Sequence, residues 1–148
     1  AVHSDVQLGI GGDLKAVFDW GRDGPGGWRI LTEPEVHFER DVQVLVPYLA
    51  GWRRERMPQL PDDQRIEIGP DWVCEIPSPS TASKDRETKM PVYARYGVTH
   101  AWIIDPRAET LEAFALQADA LTLVVRLSGD DEIWVPPFGD RGVAPPWA

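Results

Sequence analysis

Cysteine occurs once in this chain, at Cys74, so neither an intrachain disulfide framework nor a cysteine-built zinc cluster can hold the fold together. Its neighbours Trp72, Val73 and Ile76 are apolar, and Cys74 reads as a small buried hydrophobe rather than a reactive thiol. Positive charge is also short. The 15 Lys and Arg against 24 Asp and Glu leave a formal charge of −9, the wrong sign for holding nucleic acid by bulk electrostatics. That excludes strong DNA binding by charge alone, but not a nuclease, whose carboxylates recruit a divalent cation and whose docking can use a local basic patch. No apolar run approaches the ~20 residues that span a bilayer, and the start, AVHSDVQ, lacks the charged-then-apolar order of a signal peptide. The expected location is therefore the cytoplasm, with no membrane partner. There is no internal repeat, and the 7 tryptophans form no evenly spaced stacking platform.

What is present suits one domain over residues 1–148: the hydrophobic content of 43% allows one sizeable core at this length. Val6, Ile10, Leu14, Val17 and Phe18 recur at helical spacing, which predicts an amphipathic helix over 4–20 with Ser4 as its cap. Gly9, Gly11 and Gly12 weaken that helix and let it lie close to a sheet, while His3 reads as a solvated terminus. A glycine- and proline-rich turn follows at 22–27. Trp28, Ile30, Val36 and Phe38 then alternate as in strands, and Val42, Val44, Leu45 and Val46 form a denser run, joined as a hairpin around Glu39, Arg40 and Asp41. Glu35 and His37 share the opposite face and read as the solvent side of an edge strand. The cluster WRRERM at 52–57 places Arg53, Arg54 and Arg56 beside Trp52. It suits either a grip on a phosphate backbone or a solvated loop with self-paired charge. Residues 58–69 read as a connector.

The stretch 70–89, PDWVCEIPSPSTASKDRETK, organises the rest. Trp72 to Ile76 is apolar apart from Glu75 and is bounded by Pro70 and Pro77, as a short core strand should be. A buried ionised carboxylate carries a desolvation penalty of several kcal/mol unless a cation, a metal or hydrogen-bond donors answer it, and Lys89 on the following helix is the nearest candidate. That helix is expected over 84–96, with Ser83 as its cap, Pro91 starting or kinking its regular part, and Gly97 as its stop. Asp85 and Lys89, spaced i, i+4, could also form an ordinary surface pair. A strand over 100–105 ends at Asp105-Pro106, and 110–116 with 121–127 read as a second hairpin. The order predicts an α/β fold: an αβββαβ core with a mixed sheet flanked by helices, plus a C-terminal β-hairpin. Residues 28–48, 70–77 and 101–105 are expected in one sheet. Asp71 and Glu75 share a face but lie about 13 Å apart along the strand, too far for both to bind one ion.

The blocks GPGGW at 24–28, EPEVHF at 33–38, VLVPYLAGWRRERMP at 44–58, PDWVCEIPSPST at 70–81 and DRETKMPVYARYGVTHAWIIDP at 85–106 resemble the Uma2 family of restriction endonucleases, a branch of the PD-(D/E)xK nuclease superfamily. The resemblance covers nearly the whole chain. It implies a segment ahead of the first helix that this sequence does not contain, as in a trimmed chain.

The resemblance implies a restriction-endonuclease-like DNA endonuclease using Mg²⁺ or Mn²⁺. Glu75 would be the central metal ligand, Asp71 and Glu35 supporting acids, and Lys89 the cation that stabilises charge or positions water. Two departures stand out. Tyr48 in VPYLAGWR occupies the position of the first metal-binding aspartate, and a phenol is a poor Mg²⁺ ligand at neutral pH; Pro77 interrupts the end of the strand after Glu75. The partners expected are DNA, held weakly through Arg53, Arg54 and Arg56, and a second copy of the chain as a homodimer. The alternative is a nuclease-like fold that has lost its metal and serves as a binding or dimerisation module.

Overall fold

The computed structural model of the chain describes residues 14–21, 26–80, 83, 85–129 and 135–138. Residues 4–13 of the expected first helix, with Ser4 and the three glycines, lie outside the described residues, as do His3 and most of the 22–27 turn. Nine strands are described: β1 (Trp28–Thr32), β2 (Glu35–Glu39), β3 (Gln43–Leu45), β4 (Leu49–Arg53), β5 (Arg65–Ile66), β6 (Trp72–Glu75), β7 (His100–Asp105), β8 (Thr110–Gln117) and β9 (Ala120–Ser128). Helix α1 is a wide π turn, Lys15–Asp19, and α2 runs as π turns over Asp85–Lys89 and as regular α-helix over Met90–Arg95. Pro91 sits where the regular part begins, which fits a residue that has no N–H to donate. Gly97, at φ 81°, ends the helix in a conformation that other residues adopt at a cost.

The strands form a six-stranded sheet in the order β1-β4-β6-β7-β8-β9 and a three-stranded sheet in the order β3-β2-β5. In the large sheet β6 and β7 are parallel and the other pairs antiparallel, so the sheet is mixed, with α2 as the crossover that a parallel pair needs. The single sheet expected over 28–48, 70–77 and 101–105 is thus corrected to two. The 35–45 hairpin forms as expected, but in the small sheet, where β2 is central and also pairs with β5. β4 was not anticipated. All four residues Leu49 to Trp52 are buried, and with both faces covered there is no polar alternation to mark a strand.

Cross-strand partners share a face, so register assigns the two cores. Leu49, Cys74 and Trp102 are opposite one another, as are Ala50, Val73 and Ala101. The first set belongs to a core with Leu14, Phe18 of α1, Trp28, Trp72 and Phe138; the second packs with Val36, Trp52, Met57, Ile66 and Tyr93. A helix therefore covers one face, and α2 with the small sheet covers the other. A bulge in the β8–β9 hairpin sets Ala113 opposite Val125 and Phe114 opposite Leu123. It turns β9 over, so that Val125 packs on the first core and Leu121 on the second.

Gly51 shows how closely the sheet is filled. A Cβ there would lie 3.1 Å from the ring of Trp28 and 3.1 Å from that of Trp72. Gly51→Val should therefore lower the free energy of unfolding by about 1–3 kcal/mol through overpacking, measured by chemical denaturation. An unchanged midpoint would show that the two indoles have room to give.

Candidate active site

Strand alternation decides where Glu75 points. Trp72, Cys74 and Ile76 fill the first core, so Val73 and Glu75 face α2. Glu75 is the last residue of β6 and is only 2% exposed. Its Oε2 accepts a hydrogen bond from Lys89 Nζ at 3.0 Å, and its Oε1 accepts one from Tyr93 Oη at 2.8 Å. Lys89 and Tyr93 are four residues apart, hence on one side of α2. Lys89 is the last residue of the π segment, a local widening of the kind common at functional sites. Charge and hydrogen bonds together answer the buried carboxylate, which is the condition for its remaining ionised. The expected Glu75–Lys89 contact is present. Tyr93 was overlooked, although its i, i+4 relation to Lys89 was readable.

The other expected site residues have different surroundings. Asp71 is at the far end of β6, where its carboxylate accepts from the Arg53 backbone N–H at 2.7 Å and pairs with Arg56 at 2.8 Å. It closes the turn that follows β4 and is not brought to Glu75. Next to it His100 is half-buried, and its Nδ1 lies 3.0 Å from the Thr99 hydroxyl. Burial lowers the imidazole pKa, the Arg53 charge lowers it further and Asp71 opposes both.

Glu35 lies in the small sheet and contacts His37 Nε2 at 2.6 Å, while the Asp41 backbone N–H donates to His37 Nδ1 at 3.0 Å. That network assigns the proton to Nε2, making it the donor to Glu35. His37 is 2% exposed, which corrects its reading as a solvent-facing residue on an edge strand; Glu35 serves it as acceptor.

Tyr48 precedes β4, and continuing the register Leu49 to Cys74 by one step places it beside Glu75. Alternation would send its side chain to the α2 face with Ala50. The bend there instead brings the ring against the first core. Burial, and then the Glu75 charge, push the Cys74 thiol well above its ordinary pKa, so it is no nucleophile.

The arginine cluster is engaged within the fold. Arg54 donates to the Asp19 carboxylate and to the carbonyls of Asp19 and Trp28, Arg53 lies over the Trp28 ring at 4.5 Å, and Arg56 holds Asp71. Among the described residues no group of three or more His, Cys, Asp or Glu is placed to hold a metal ion. No described helix is long and apolar enough to cross a membrane.

The sequence matches a family described as Uma2, "Putative restriction endonuclease", over residues 2–144. The chain belongs to the Uma2 family. With that it joins the PD-(D/E)xK-like nuclease superfamily, and its mixed sheet with flanking helices is the restriction-endonuclease-like fold. Among solved structures it is similar to one described as a putative nuclease belonging to DUF820, from Anabaena variabilis ATCC 29413. The TM-score is 0.73 at 22% identity, covering 93% of this chain and 74% of that one. No curated protein matches it. Within this Uma2 chain, Glu75 with Lys89 and Tyr93 forms a buried polar group at the end of the core strand.

Removing Lys89 tests that arrangement. Lys89→Met should destabilise the fold by about 3 kcal/mol at neutral pH, because it takes the cation from a buried carboxylate. Without its cation the buried carboxyl is penalised in its charged form and less so when protonated. The folded state then binds more protons than the unfolded one, so the loss should shrink as pH falls. Urea denaturation across pH checks this, and a loss independent of pH would mean that Lys89 contributes packing rather than charge.

Proposed function

We propose that this chain is a metal-dependent endonuclease that hydrolyses phosphodiester bonds in DNA, with Mg²⁺ or Mn²⁺ weakly held. The observation that carries the reading is the buried Glu75 carboxylate with Lys89 Nζ at 3.0 Å, at the end of the core strand of a Uma2 chain. Glu75 is a hard oxygen donor suited to either ion. Lys89 and Tyr93 each donate to one of its oxygens and hold the carboxylate in place. Asp71 and Glu35 are left to Arg56 and His37 rather than counted as ligands. One carboxylate is few for Mg²⁺, which commonly completes its shell with water and substrate phosphate. The bound ion would supply Lewis acidity and a more acidic water.

The chain's own groups do the rest. Tyr93 fixes the orientation of the Glu75 carboxylate through its hydroxyl. Lys89 is partly exposed, its side chain at 26% against 3% for Glu75, so its ammonium can offer charge to a phosphate oxygen or hold the attacking water while remaining tethered to Glu75. A net charge of −9 means that productive contact with DNA depends on local cations.

A second reading, a nuclease-like fold whose catalysis is impaired, is favoured by Tyr48, which stands where the family resemblance implies a metal-binding aspartate and whose ring packs on the first core instead, and by the absence of a three-residue metal group among the described residues. Nicking of supercoiled DNA in Mn²⁺ separates the two. The proposal expects slow wild-type nicking that Glu75→Ala abolishes and Tyr48→Asp accelerates. A wild-type chain without nicking, whose Tyr48→Asp variant nicks through Glu75, would establish the impaired reading. If neither protein nicks DNA, the endonuclease assignment is wrong.

A further inference from the structure

The row of residues on which Glu75 sits continues across the sheet. Glu75 is opposite Ile103, Ile103 opposite Glu112, and Glu112 opposite Arg126. Directly opposed residues share a face, so Glu112 points to the same side as Glu75. Two strand spacings set their backbones about 10 Å apart. Helix α2 answers this second acid as it answers the first, for Arg86 donates to the Glu112 carboxylate. Arg86 and Lys89 are three residues apart and descend from one helix onto two acids of one row.

The two pairs differ in accessibility. Glu75 is buried, whereas the Arg86 side chain is 46% exposed and that of Glu112 is 18%. Arg86 also lines an open groove of about 780 Å³ with Met90, Pro91, Ala94, Arg95, Asp119 and Leu121. The bond to Glu112 engages Nη2 and leaves most of a five-donor planar fork to meet a phosphate. Counted over the row, its helix partners and the groove lining, Arg86, Lys89, Arg95 and Arg126 stand against Glu75, Glu112 and Asp119, a local excess of one positive charge on a chain of net charge −9. An isolated exposed ion pair would contribute little to stability, so helix docking is a weak reason for this placement.

We infer that Arg86 is a second phosphate-binding residue beside the Glu75–Lys89 site, and that Glu112 is a positioning residue that holds its guanidinium at the groove edge. DNA enters over this edge, with Arg86 taking a backbone phosphate next to the one that Lys89 faces. This rests on the DNA reading given above.

Fluorescence anisotropy with a short labelled duplex, without divalent cation and over a range of salt, tests it apart from cleavage. Arg86→Ala should weaken binding about tenfold at low salt and reduce the slope of log K against log salt by about 0.9, one phosphate contact. Arg86→Lys should retain the slope. Glu112→Gln should also weaken binding, by less than Arg86→Ala and with the slope retained, because the guanidinium keeps its charge but loses its fixed position. A pair that only fastens α2 would shift the melting temperature in both charge-removing variants and leave the slope as in wild type, and that result would overturn the inference while the DNA reading stood. A wild-type chain with no salt-dependent binding would instead overturn the DNA reading, and this inference with it.

Discussion

A carboxylate at the end of a strand buried on both faces must be answered, and much of the second core is arranged to answer it. Glu75 cannot rotate to solvent, because β6 lies between β4 and β7 and its face is covered by α2. The helix must present a cation and a hydroxyl at one height. Lys89 and Tyr93 achieve this at i, i+4, and the wide turns that end at Lys89 set the angle at which the ammonium arrives. Tyr93 also carries the contact onward, packing edge-on to Phe38, which stacks on Tyr96. The Tyr96 hydroxyl donates to Glu39 of β2 at 2.5 Å, and that bond raises the phenol pKa. The small sheet is thereby tied to the helix that holds the acid.

The opposite face supplies rigidity. Trp72, Trp102 and Phe138 meet edge to face, with Phe18 and Trp28 against Phe138, contacts that add to burial through ring quadrupoles. Gly51 is the concession that lets two indoles approach. This aromatic layer backs β6 on the face opposite Glu75.

The strand at 72–75, the helix stop at Gly97 and the C-terminal hairpin were legible because each has a local cause: bounding prolines, a positive φ and period-two alternation. Glu75 was legible as a chemical anomaly, and Lys89 as the nearest cation. β4 was not, since LAGW has neither alternation nor strong strand propensity and owes its conformation to partners on both sides. The split into two sheets was hidden for the same reason, since a hairpin does not disclose which sheet it joins. Charged side chains were the least legible. Asp71 found Arg56, Glu35 found the buried His37, and Arg54 found Asp19, all pairings set by tertiary approach. Arg86 and Glu112, 26 residues apart, meet only because β7 sets β8 within reach of α2.

On the proposed reading, Glu75 and the substrate's phosphate would together hold the metal. Mn²⁺ affinity measured by electron paramagnetic resonance, with and without a saturating short DNA duplex, addresses it most directly. DNA should tighten Mn²⁺ binding by about tenfold or more, Mn²⁺ should tighten DNA binding by the same factor, and Glu75→Ala should remove the coupling. Mn²⁺ binding that is indifferent to DNA, or coupling that survives Glu75→Ala, would contradict the account.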